Sequence, residues 1–101
     1  ILMARYKGLL EMAVRGAAAI RRLEERVQRT HETQIFIEAP YRNNQMLEAL
    51  STVLSPQTLV CVACDLTLPT QYIHTMPSAK WKTERGKVDL HKRNTVFLIG
   101  D

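Results

Sequence analysis

Gln34-Ile35-Phe36-Ile37-Glu38-Ala39-Pro40-Tyr41-Arg42-Asn43-Asn44-Gln45-Met46-Leu47 is the stretch on which the fold turns, because its hydrophobic rhythm changes from strand to helix. Ile35, Phe36 and Ile37 are consecutive β-branched or aromatic residues, which suits a strand over Gln34 to Glu38 covered on both faces. Ala39-Pro40 stops it, since proline brings no N–H to a ladder. Asn43 or Asn44 then fits an N-cap. Met46, Leu47, Leu50, Val53 and Leu54 recur at helical spacing until Ser55-Pro56 closes the helix. The next apolar run, Thr58 to Cys64, reads as a second buried strand. Strand, helix, strand over residues 34–64 fits a right-handed crossover between parallel strands.

Upstream, Ala13, Ala17, Ile20, Leu23 and Val27 share one face of a helix over residues 9–29, with Glu24, Glu25 and the arginines on the other faces. Gly16 weakens its first turns, so the helix can begin after it. Downstream, Tyr72, Ile73 and Thr75 predict a short third strand. Met76-Pro77 ends it, and Ser78 is placed to cap a short helix around Trp81 that stops at Gly86. A polar loop follows, and Thr95 to Ile99 is the last strand, stopped by Gly100. The later strands follow one another too closely to be all parallel. The expected class is α/β, a mixed sheet of about four strands with helices packed on it.

The chain has 101 residues, 46% hydrophobic and 24% charged, which suits one domain and excludes wholesale disorder and collagen-like structure. No apolar run approaches the roughly 20 residues of a membrane-spanning helix, and two cysteines are too few for a disulfide scaffold. The first residue is Ile1 and nothing after it resembles a secretory signal, so a fragment of a longer, cytoplasmic protein is the expectation. The net charge of +4 permits an anionic partner and equally suits a solvated basic surface. Between Asn43 and Tyr72 there is no Lys or Arg, which marks that segment as core.

Several groups invite a chemical reading. Cys61 and Cys64 have C-x-x-C spacing, but within a strand side chains three apart face opposite ways, so they converge neither on a metal nor on a disulfide. His31, His74 and His91 are scattered, the glycines are isolated, and no metal site or nucleophile–base pair is assigned. Glu38 to Asn44 runs from a strand end into a helix N-terminus, where ligands of α/β sheets tend to sit; Glu38 and Arg42 can instead pair with each other. Asp65 to Thr70 is the matching turn after the next strand, and the two turns would share a crevice if they leave one edge of the sheet. Lys80-Trp81-Lys82 can stack and clamp a nucleic acid, or Trp81 can anchor a helix on the core.

Thr33-Gln34-Ile35-Phe36-Ile37-Glu38-Ala39-Pro40-Tyr41-Arg42 resembles the "IF-Y/I-E-A/S/T-P-H/Y-R" segment of the tetrapyrrole-methylase superfamily, nearest the branch of small-subunit ribosomal RNA cytidine 2′-O-methyltransferases. Ala63-Cys64-Asp65-Leu66-Thr67 resembles that branch's "A-R-E-L-T" turn, Ile73-His74 falls in register with its "T-I-H", and Asn94 to Ile99 resembles its last strand. Gly8-Leu9-Leu10 echoes its "G-Y/F-L-P" entry. The sequence departs from the branch at Cys64, Asp65, Leu68 and Gln71. The resemblance implies that residues 30–101 are the C-terminal α/β domain of a two-domain S-adenosylmethionine-dependent methyltransferase whose Gly-rich N-terminal domain is absent here, with residues 1–29 as linker or helix. It implies S-adenosylmethionine contacts at Glu38, Ala39, Ala63, Asn94 and Thr95, and substrate contacts at Arg42, Asp65 and Thr67. It also implies ribosomal RNA as partner and a homodimer. A tetrapyrrole or other small substrate is the alternative within the superfamily, and a non-enzymatic basic module that binds nucleic acid is the alternative outside it.

Overall fold

Ile20, Leu23 and Val27 recur at helical spacing, and they form the inner face of α1 (Ala17–Thr30), with Ile20 and Val27 almost wholly buried. The structure is a computed structural model and describes residues 16–101. The expected start of this helix at residue 9, and the Gly8-Leu9-Leu10 entry, lie outside the described residues. Gly16 stands at the N-cap with φ 66 and ψ -131, a positive-φ conformation that favours glycine. His31, at the other end, is left-handed (φ 56), and its Nδ1 lies 2.6 Å from Oδ2 of Asp101.

After β1 (Gln34–Ile37) and a single 3₁₀ turn (Pro40–Arg42) come α2 (Asn43–Val53), β2 (Leu59–Cys64), β3 (Tyr72–Pro77), α3 (Ser78–Glu84) and β4 (Thr95–Gly100). The α/β class and the four strands are as the sequence predicts. The pairing is not mixed: in the order β1-β4-β2-β3 every neighbouring pair is antiparallel. β1 and β2 do run the same way, as the crossover requires, but β4 lies between them. The late, apolar Thr95–Gly100 segment takes the central slot because both its neighbours can bury it there.

One face of the sheet carries Phe36, Val60, Val62, Cys64, Phe97 and Ile99, all buried with Ile20, Leu47, Leu50, Trp81 and Leu90 in one core. Phe36 and Phe97 are cross-strand partners whose rings stack at 5.5 Å. On the opposite face Ile35, Cys61, Val96 and Leu98 are half-buried and Ile37 is 38% exposed. The expectation of cover on both faces of β1 therefore fails among the described residues.

Neither asparagine caps α2, and Ser78 does not cap α3; both helices begin without a side-chain cap. Asn43 and Ser78 are the first residues of their helices and fully buried, so their side chains turn inward: Ser78 Oγ donates to the carbonyls of Leu50 and Ser51. Glu24, read as surface decoration, is also buried and accepts bonds from Ser55 N–H (2.7 Å) and Thr58 Oγ1 (2.6 Å), fastening α1 to the α2–β2 connection. No described helix is long and apolar enough to cross a membrane.

Candidate functional site

Since β1 and β2 run in the same direction, their carboxyl ends leave one edge of the sheet, and the amino end of β4 opens between them. A cleft of about 370 Å³ lies there. Ile37, Glu38, Ala39 and Pro40 make one wall, Asn94, Thr95 and Val96 the floor, and Leu66 the facing wall. Four of the five residues assigned to the cofactor side by resemblance, Glu38, Ala39, Asn94 and Thr95, are thus brought together. Ala63 is buried one strand away, paired with Val96 and Ile73 rather than lining the cleft.

Glu38 is only 9% exposed, and its Oε1 accepts the N–H of Ala39 at 2.8 Å. The alternative, a pair with Arg42, does not form; that guanidinium lies 5.8 Å from the centroid of the Tyr41 ring. Arg42 is exposed and borders a separate groove between α1 and α2, of about 190 Å³. The residues assigned to the substrate side are therefore split. Arg42 stands beyond one wall of the cleft, while Asp65 and Thr67 belong to the turn that forms the other.

Asp65 is committed within the protein. Its Oδ2 accepts Arg93 Nε at 2.8 Å and Thr70 Oγ1 at 2.8 Å. The Arg93 bond foremost, then that of Thr70, holds its carboxyl below the ordinary aspartate range, against the opposing effect of burial. Asp65 and Thr67 both have positive φ, 51 and 69, in the tight turn between β2 and β3. Thr67 donates its N–H to Gln71 Oε1.

Two features escaped the sequence reading. Asn43 Nδ2 donates to Leu90 O, Arg93 O (2.6 Å) and Thr95 Oγ1, and Asn44 bonds Asp89 and the Leu90 N–H, so the two asparagines bind the 89–95 segment to α2. Arg93 ties that segment to the β2–β3 turn. Asn43-Asn44 matched a cap pattern, and the long-range partners left no local signal. Trp81 is fully buried and donates Nε1–H to Val60 O at 2.9 Å, so Lys80-Trp81-Lys82 offers no ring for stacking. Cys61 and Cys64 are free thiols, half-buried and buried, on opposite faces of β2. Among the described residues no group of three or more His, Cys, Asp or Glu could hold a metal ion.

The crystal structure of the methyltransferase CobJ is similar to this chain, with a TM-score of 0.50 and 22% sequence identity. The likeness covers 81% of this chain and 34% of that one, so this chain spans about a third of the length of that neighbour. At this identity the likeness is one of fold. No family model matches the chain. No curated protein matches it either.

Proposed function

We propose that the chain is the C-terminal α/β domain of an S-adenosylmethionine-dependent methyltransferase of the tetrapyrrole-methylase superfamily. The observation that carries this reading is the convergence of Glu38, Ala39, Asn94 and Thr95, chosen from sequence resemblance, on one cleft at the strand edge. The fold likeness to a methyltransferase supports it. A volume of about 370 Å³ falls within the range of small-molecule sites. The residues fit such a ligand. Glu38 keeps one carboxylate oxygen free of the bond to Ala39 and can accept from ribose hydroxyls or an ammonium. Exposed Asn94 offers both a donor and an acceptor. Ile37, Leu66 and Val96 supply apolar surface for the ligand to cover. The cofactor supplies an electrophilic methyl group on a sulfonium. Its displacement needs alignment rather than a covalent nucleophile, which suits a set of residues without a nucleophile–base pair.

For the substrate we propose RNA, with ribosomal RNA 2′-O-methylation as the reading closest to the resemblance. Arg42 supports it: an exposed guanidinium on the neighbouring groove, beyond the Glu38–Pro40 wall of the cleft and with no carboxylate partner among the described residues, suits a phosphate. A small planar substrate of the tetrapyrrole kind is favoured instead by Tyr41 and Leu68, which are 56% and 50% exposed in the segments flanking the cleft. The homodimer implied by the resemblance is part of the proposal, and sedimentation of the full-length protein tests it.

Calorimetry of the full-length protein with S-adenosylhomocysteine tests the cofactor; absence of binding overturns the reading and leaves the non-enzymatic module. For the substrate, Arg42→Ala is expected to weaken RNA binding by roughly 1–3 kcal/mol and to flatten its salt dependence, with cofactor affinity unchanged. An unchanged salt slope removes Arg42 from the RNA site.

A further inference from the structure

Leu66 is the residue of the β2–β3 turn that lines the cleft, and it is 46% exposed there. It sits between Asp65 and Thr67, two non-glycine residues with φ 51 and 69. Such backbone persists only where its surroundings over-determine it. Within the turn, Leu68 N–H bonds Asp65 O, Gln71 N–H bonds Leu68 O, and Thr67 N–H bonds Gln71 Oε1 at 2.8 Å. These bonds shape the turn but do not place it against the rest of the cleft.

Arg93 does that. Its Nε donates to Asp65 Oδ2 at 2.8 Å and one terminal nitrogen to Thr70 O at 2.8 Å, so its planar fork grips both ends of the turn. The other terminal nitrogen donates to Asp89 O, and the Arg93 carbonyl is held by buried Asn43 at 2.6 Å. Asn94 and Thr95, the cleft floor, follow Arg93 directly in the chain, and Asp65 N–H bonds Asn94 O at 2.8 Å. Wall and floor are thereby one rigid piece.

We propose that Leu66 is a ligand-contacting residue of the cleft, selecting an apolar face such as a purine ring or an alkyl thioether presents, and that Arg93 is the positioning residue that holds it in place. The assignment of Leu66 rests on the cleft being the S-adenosylmethionine site. Calorimetry with S-adenosylhomocysteine and amide hydrogen exchange on the full-length protein and its variants test the two parts. Leu66→Ala, an exposed site, is expected to weaken binding roughly tenfold with an unchanged melting temperature, and Leu66→Met to recover most of it. Arg93→Lys keeps the charge and loses the fork. It is expected to weaken binding in the same direction and to speed exchange at the Thr67, Leu68 and Gln71 amides, while the sheet amides keep their protection. Parental affinity in Leu66→Ala overturns the role of Leu66. Unchanged exchange at the turn in Arg93→Lys overturns the role of Arg93. A parent protein that binds no S-adenosylhomocysteine overturns the cofactor reading and Leu66 with it, and the exchange measurement still decides Arg93.

Discussion

Asp65 carries a proton-linked part of the stability. Its folded carboxyl is held below the ordinary value of 3.8, first by the Arg93 bond and then by that of Thr70. A carboxyl depressed in the folded state contributes stability that is fully present above its unfolded value and is lost as pH falls through the folded one. Denaturation measured from neutral pH down to about pH 2 should therefore show a loss beginning near the ordinary aspartate range, and Asp65→Asn should remove that part of the acid slope. An identical slope in the variant would separate Asp65 from acid sensitivity. The thiols give a second test at this scale. Cys64 is fully buried and Cys61 half-buried, so under native conditions a thiol reagent should label Cys61 well before Cys64. The opposite order would contradict their placement on β2. The alternation that separates these thiols was legible in the sequence, because it follows from strand geometry alone. The pairing of Asp65 with Arg93 was not, since those partners lie 28 positions apart and carry no shared pattern.

Among the elements, α1 depends on Gly16 at its start. A Cβ at Gly16 would meet nothing within 4 Å, yet its φ of 66 penalises any L side chain. Gly16→Ala should therefore cost about 1–3 kcal/mol through backbone strain alone, seen as a fall in melting temperature of about 4–8 °C per kcal/mol. An unchanged or raised melting temperature would mean that the helix start adopts another conformation. Helix and strand positions were readable because apolar spacing alone specifies them: Met46, Leu47 and Leu50 predicted the buried face of α2. Cap predictions failed for one physical reason at both sites. Asn43 and Ser78 are fully buried at the first helical position, where the core and the neighbouring carbonyls compete successfully for their polar groups.

For the molecule as a whole, the decisive feature is the central position of β4. It pairs with β1 through Ile37↔Val96 to Gln34↔Ile99 and with β2 through Cys64↔Thr95 to Leu59↔Gly100. Phe97 and Ile99 on it are fully buried. Phe97→Ala should cost about 3–5 kcal/mol, a large share of the roughly 5–15 kcal/mol that domains have in total. Deletion of residues 95–101 should abolish cooperative unfolding monitored by circular dichroism; a sharp transition in the truncated protein would show that β1 and β2 can close on each other. Strand order was the part of the fold hidden from sequence reading, because the apolar pattern of Thr95 to Ile99 names a buried strand without naming its neighbours. The same placement gives the fold a direction in time. During synthesis β1 and the β2–β3 hairpin leave the ribosome first, and a lone hairpin is marginal in water. Phe36 and Val62 can be covered on their sheet only when residue 100 is free. Until β4 has emerged, the nascent chain exposes the apolar strands that β4 will pair with, and that interval is when a chaperone would meet it.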